Sequence, residues 1–275
     1  VVLTANQRKP GPAAPRLIQR GELLASLDRA AEAKVTLISA PAGSGKTSLL
    51  RAWADGPGQA YRLAVVQVQR DQENSQQFWL AVLSAIRRAA GTPGEGEQLA
   101  ATPDFNQEAV ADRIHAELAE HRGRTFLIID DLHELASPEA LTQLTQLLET
   151  LPQHVHAILA TRRDMPLRLH RLRLAGELAE IRAADLRFTQ RETRELLEIS
   201  GIALSEGRAA TLHERTEGWA AGLRLAAISL ASSPDPDRFV AEFSGSSRTV
   251  AEYLLAEMLE CQPAEVQQLL LRTSL

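Results

Sequence analysis

The sequence predicts an α/β protein, with a parallel sheet covered on both faces followed by a smaller, all-helical part. Short runs that are apolar throughout, "VTLIS" (35–39), "TFLIID" (125–130) and "VHAILATR" (155–162), alternate with segments of helical period. Continuous apolar strands are those buried on both faces, and parallel neighbours need helical crossovers between them. After about Leu186 no apolar strand recurs, and one helical segment follows another.

Taken in order, "ELLASLDRAAEA" (22–33) repeats apolar residues at helical spacing, and "VTLIS" ends at a Pro/Gly loop. "GKTSLLRAWA" resumes the helical period, "RLAVVQVQ" (62–69) reads as a strand, and "QQFWLAVLSAIRRAA" (76–90) reads as a long helix whose Phe78 and Trp79 belong to the core. A Gly/Pro-rich break at 91–96 precedes a helix over about 106–121, and "ALTQLTQLLETL" (140–151) is the helix between the last two strands. "TQRETRELLEIS", "RAATLHERTEGWAAGLRLAAISLA" and "TVAEYLLAEMLECQ" supply the later helices. These patterns divide the chain into a lead-in at 1–15, an α/β domain at 16–186, a helical domain at 187–247 and a linking segment at 248–275.

Composition narrows the function classes. At 275 residues the chain is long for one ordinary domain, and its 44% hydrophobic and 24% charged content is that of a soluble protein with a sizeable core. Thirty Lys and Arg against 35 Asp and Glu leave a net charge of -5, so no global positive field draws it onto nucleic acid or an anionic membrane. The basic stretch from Arg162 to Arg173 reads as a solvated face or an interface. No apolar run spans a bilayer, and the single cysteine, Cys261, forms neither an internal disulfide nor a cysteine cluster, which fits the cytoplasm. The start at Val1 and the apolar helical pattern at "QQLLLRTSL" suggest a piece of a longer protein.

The chemistry concentrates in "VTLISAPAGSGKTSLL". It matches [AG]-x-x-x-x-G-K-[ST] from Ala40 to Thr47, with a buried strand entering the loop and a helix leaving it. Such a loop rings a phosphate with backbone N–H groups at the positive end of a helix dipole, which makes Ala42, Gly43, Ser44, Gly45, Lys46, Thr47 and Ser48 the candidate phosphate contacts. Lys46 is expected on the β and γ oxygens and the Thr47 hydroxyl on Mg²⁺. "TFLIIDDLH" delivers Asp130 and Asp131 to the carboxyl edge of the sheet, where Asp130 is a candidate to hold Mg²⁺ and Asp131 to activate water. "HAILATRRD" places Arg162 at the same edge, facing a γ-phosphate, while His133 reads as a turn residue. Trp219 reads from its helical setting as core.

Over almost its whole length the chain resembles the nucleotide-binding region of the large ATP-binding regulators of the LuxR type, the MalT-like group of the signal-transduction ATPases with numerous domains. The segments that carry the resemblance include "LIQRGELLASLDRA", "VTLISAPAGSGKTSLLRAWA", "LIIDDLHEL", "ATRRDMPL", "RTEGWAAGLRLAA" and "LLLRTSL". It implies a P-loop core with the additional-strand sheet order, then a helical domain and a winged helix, of which only the opening helix falls within 248–275. It implies adenine-side contacts from Leu17, Ile18 and Arg20, with Gln19 where the family has glycine, and a nucleotide contact near Trp219, with Ala220 where the family has proline.

The function so implied is a slow ATP-hydrolysing switch binding ATP or ADP with Mg²⁺. ATP favours an open, self-associating state of the full-length protein, and DNA is bound only through a domain beyond these residues. A remodelling ATPase and a signalling scaffold of the same P-loop class are the alternatives.

Overall fold

The computed structural model describes residues 18, 20–69, 75–91, 107–120, 123–233 and 235–243. Leu17, Cys261 and the opening helix of the winged domain lie outside them. The described residues form two compact units. Gly21–Arg187 with Trp219–Ala221 make an α/β unit. Phe188–Gly218 and the residues from Gly222 onward, with the segment ending at Arg20, make a helical one.

The α/β unit runs α1 (Gly21–Ala30), β1 (Val35–Ser39), α2 (Lys46–Ala54), β2 (Arg62–Gln67), α3 (Ser75–Ala90), α4 (Gln107–Glu120), β3 (Thr125–Asp130), α5 (Pro138–Thr150), β4 (Val155–Thr161), α6 (His170–Leu174) and β5 (Leu178–Arg182). The sheet order is β2-β3-β4-β1-β5, every pair parallel. Strand β4 thus lies between the phosphate-loop strand β1 and the acid-bearing strand β3, which is the additional-strand arrangement the resemblance implied.

Alternate strand residues feed two cores. Leu37, Leu127, Ile129, Ala157 and Leu159 pack under α3, α4 and α5 on one face. Ile38, Phe126, Ile128, Ile158 and Ala160 pack against Leu23 and Leu27 of α1 and Leu49, Leu50 and Trp53 of α2 on the other. Phe78 and Trp79 are buried in the first core, as their sequence setting predicts. β1 and β3 are buried along their whole length, which is why they read as unbroken apolar runs. β5 is different: only Ile181 of its five residues is buried. It is a half-exposed edge strand that the apolar-run criterion did not reveal.

The amino edge of the sheet is closed by a satisfied polar cluster. Arg124 donates to Glu32 Oε1 (2.8 Å), to the Ala31 carbonyl (3.1 Å) and through Nε to His156 Nε2 (3.3 Å), while His156 Nδ1 donates to the Ala33 carbonyl (3.0 Å). The Arg124 guanidinium also lies 5.3 Å from the Tyr61 ring centre and 5.4 Å from that of Phe126.

The helical unit contains α7 (Gln190–Ile199), α8 (Glu206–Thr216), most of α9 (Ala220–Ala231) and α10 (Pro236–Glu242). Thr189 and Glu192 form a reciprocal capping box at the start of α7, and Ser205 and Asp235 cap α8 and α10. Gly218 ends the α8 turn at φ 69°, and a Cβ there would lie 2.5 Å from the Phe188 carbonyl oxygen, so only glycine fits.

Candidate functional site

The strand register brings the polar ends of four strands to one edge. Ser39 is level with Thr161, and Gln67 with Asp130. The loop leaving β1 turns through Gly43 (φ 71°) and Gly45 (φ 89°), left-handed conformations that a side chain would strain, and opens directly into α2 at Lys46. Backbone from Gly43 to Ser48 therefore forms the loop-to-helix junction expected of a phosphate cradle.

Two of the motif's side chains are anchored within the edge. Thr47 donates its hydroxyl to Asp130 Oδ2 at 2.8 Å, joining the loop to the end of β3. Lys46, buried at 6% exposure, turns its ammonium onto the carbonyls of Ala40 (2.6 Å) and Pro41 (3.0 Å). Burial, then the nearby positive charge of Arg162, lowers its pKa to about 8, against the pull of Asp130 and Asp131. Asp130 moves the other way: burial raises its pKa, and the Thr47 hydrogen bond only partly offsets this. Two groups of opposite charge, not in contact with each other, are thus both driven toward neutrality by desolvation, a condition that a phosphate beside the lysine and a cation beside the aspartate would relieve.

Asp131 adopts a left-handed backbone (φ 55°) and donates its N–H to Asp130 Oδ1 (2.9 Å). Its own carboxylate accepts a hydrogen bond from the Gln67 amide at 3.2 Å. Sequence reasoning missed Gln67, although a polar residue closing the apolar run of residues 63–66 is the signal that finds it. His133, a turn residue by sequence, does stand in the short 3₁₀ turn 132–134, yet both its ring nitrogens are buried without a hydrogen bond among the described residues. The Glu134 carboxylate lies 3.3 Å from Nε2 without hydrogen-bond geometry. Burial lowers the His133 pKa, with Arg162 and Lys46 adding to the effect. A neutral ring without a hydrogen bond therefore lies within electrostatic reach of Asp131, Lys46 and Arg162.

Trp219 Nε1 donates to the Ala42 carbonyl at 3.2 Å, and the Ala221 N–H to the Gly43 carbonyl at 3.0 Å. The start of α9 is thereby fastened to the phosphate loop, a connection that a reading of Trp219 as core does not contain. Arg20 pairs with Glu192 (3.1 Å) and lies 4.4 Å over the Phe188 ring, inside the helical unit. Ile18 is half-buried, with its carbonyl accepting the Arg20 N–H.

The donor set suits Mg²⁺. Among the described residues no cluster of three His, Cys, Asp or Glu side chains exists to cage a metal, and one hydroxyl with one carboxylate is what a cation completed by phosphate oxygens and water requires. No helix among the described residues is long and apolar enough to cross a membrane.

Comparison with known proteins agrees with this geometry. Residues 29–169 match the family model described as AAA domain. The chain is 30% identical over 274 residues to the serine/threonine-protein kinase PknK of Mycobacterium tuberculosis, a match covering 98% of this chain and 25% of the relative. It is 28% identical over 262 residues to the HTH-type transcriptional regulator MalT of Serratia proteamaculans, covering 93% of this chain and 28% of that protein. The chain thus spans about a quarter of the length of these relatives. Among solved structures it superposes on a signal-transduction ATPase with a tetratricopeptide-repeat sensor from Pyrococcus horikoshii. That TM-score is 0.55 at 17% identity, over 92% of this chain and 34% of the other. With a family model matched over more than half of its residues and a phosphate loop set against an acid-ended strand, the chain belongs to the AAA domain family of P-loop proteins.

Proposed function

We propose that the chain is the ATP- and ADP-binding, slowly ATP-hydrolysing switch module of a transcriptional regulator of the MalT type. The observation that carries this reading is the glycine-turned loop that opens into α2 with Thr47 bonded to Asp130 and Lys46 buried at its mouth, within electrostatic reach of a second cation, Arg162. A triphosphate brings its negative charge to that point, and the γ-phosphate distinguishes ATP from ADP where Arg162 lies. A ligand shifts an equilibrium only by its differential affinity for the two states, and these two cations are the source of that difference.

In this reading the loop N–H groups and Lys46 bind the phosphates, and Thr47 and Asp130 would hold Mg²⁺, which would supply neutralisation of the phosphate charge. Asp131 takes the proton of the attacking water as its oxygen bonds to the γ-phosphorus and the bond to the ADP oxygen breaks. The Gln67 amide fixes the direction of that carboxylate. Trp219 and Ala221 hold the loop carbonyls of Ala42 and Gly43 so that the N–H groups face the phosphate. In the ATP state the module opens and self-associates in the full-length protein, and DNA recognition belongs to another domain.

The likeness to PknK supports a second reading, in which the same switch serves a signalling kinase rather than a DNA-binding regulator. Titration calorimetry with ATP and ADP, followed by steady-state hydrolysis, tests the shared core of both. Micromolar or tighter nucleotide binding with slow turnover is expected, and absence of binding by either nucleotide rejects it. The domain encoded beside this region then separates the two readings.

A further inference from the structure

We infer that Asp164 is a positioning residue for Arg162, holding the stretch after β4 so that the arginine meets the γ-phosphate; this rests on the hydrolytic reading above. Arg162 lies between two anchors. On its near side the Thr161 hydroxyl, fully buried, donates to the Arg163 carbonyl at 2.8 Å and closes a tight turn. On its far side one oxygen of Asp164, Oδ1, accepts from both the Ser39 hydroxyl (3.1 Å) and the Arg182 guanidinium.

Ser39 ends β1 and is level with Thr161 on β4 and with Arg182 on β5. A single carboxylate oxygen therefore ties the loop carrying Arg162 to the last residues of β1 and β5. Ser39 immediately precedes Ala40, the first residue of the phosphate-loop motif, so this tie fixes the spacing between Arg162 and Lys46. Arg182 is itself held from behind by Glu180, which Arg173 also engages.

The Asp164 side chain is 78% exposed and that of Arg182 is 42% exposed. An ion pair in that setting adds little to stability, so removing it should spare the fold. What it restricts is direction. The Arg182 and Ser39 contacts hold the Asp164 carboxyl below the usual carboxylate range, so the tie persists at neutral pH.

The test is a double-mutant cycle on the whole chain, Asp164→Ala and Arg162→Ala alone and together, read by steady-state ATP hydrolysis, by ATP and ADP titration and by thermal melting. Asp164→Ala should lower kcat on the order of tenfold, as displacement of a positioned group does, while leaving the KM for ATP within about twofold. Its melting temperature should stay within about 2 °C of the parent. In the Arg162→Ala background the same change should have no further effect on kcat, because the group it directs is gone. Asp164→Asn, which keeps an acceptor for Ser39 but loses the charge facing Arg182, should fall between.

An unchanged kcat, or equal losses with and without Arg162, overturns the inference. Where the chain binds ATP without measurable turnover, the ratio of ATP to ADP affinity is the readout: Asp164→Ala should narrow it, and an unaltered ratio overturns the inference. If the unmodified chain binds neither nucleotide, the nucleotide-site reading itself fails and this inference with it, an outcome distinct from any result of the Asp164 variants.

Discussion

At the amino edge of the sheet, an arginine, a histidine and a carboxylate gather as Arg124, His156 and Glu32; at the carboxyl edge, Arg162, His133 and Asp130 gather beside Lys46. In the first group every ring nitrogen and most guanidinium donors are used, and two aromatic faces cover the charge. In the second, the histidine ring has no hydrogen bond among the described residues, and burial pushes Asp130 up and Lys46 down. Residue types do not separate the two edges, but the hydrogen bonding of their histidines does. A buried polar group left without a partner costs stability, and it is tolerated where something outside the chain completes it.

The largest test of this contrast is at the carboxyl edge. Asp131→Asn should leave ATP affinity within about threefold while reducing hydrolysis by about 10²–10⁴-fold, because the amide keeps the shape but cannot take the proton of water. Hydrolysis at the parent rate removes Asp131 from the role of base. Next, Lys46→Ala should weaken ATP and ADP by at least about a hundredfold in calorimetric titration, because a charge-assisted bond to phosphate is missing, with little change in melting temperature. Parent-like affinity would break the assignment of the loop.

The amino edge should behave in the opposite sense. Arg124→Ala should cost about 2 kcal/mol of stability in denaturant unfolding, because its charged hydrogen bonds and its packing over two aromatic rings go together, and leave nucleotide affinity unchanged. A loss of affinity without a loss of stability would erase the distinction between the edges.

The smallest effects concern the two histidines. Replacing His133 by Leu removes a ring with no hydrogen bond and should leave stability level or raise it by up to about 1 kcal/mol, whereas His156→Leu should lower it by about 1 kcal/mol. Burial and the Arg124 charge hold the His156 pKa below its ordinary 6.5, partly opposed by the Ala33 carbonyl. Well above pH 6.5 both folded and unfolded chains carry the neutral ring. As pH falls through 6.5 the unfolded chain gains a proton that the folded one resists, so stability declines down to the folded value. His156→Gln should flatten that decline in unfolding measured between about pH 7 and pH 5, and an unchanged slope would remove His156 as its source.

What could be read from sequence depended on distance along the chain. β1, β3 and β4 announce themselves because their residues are buried on both faces, and the phosphate loop because its turns and its lysine are contiguous. β5 escapes because Glu180 and Arg182 flank its single buried residue, Ile181. Asp130 and Arg162 are legible because each stands at the end of an apolar run. The Gln67–Asp131 bond and the Ser39–Asp164–Arg182 tie arise only from the strand register, which no local pattern encodes. Arg20 is engaged by Glu192, 172 residues away. Its pairing there is beyond any argument from spacing.

The bond from Trp219 to Ala42 closes a span of 177 residues. During synthesis, β1 and the glycine turns emerge early, but the two loop carbonyls that Trp219 and Ala221 engage must wait until the chain has been made past residue 221. Contacts of such separation form late, because the intervening chain must be ordered before they return any free energy. The strands thus supply the site's frame well before its loop is finished. A nascent chain halted before Trp219 would carry the motif in full while lacking the bond that fastens the Ala42 carbonyl.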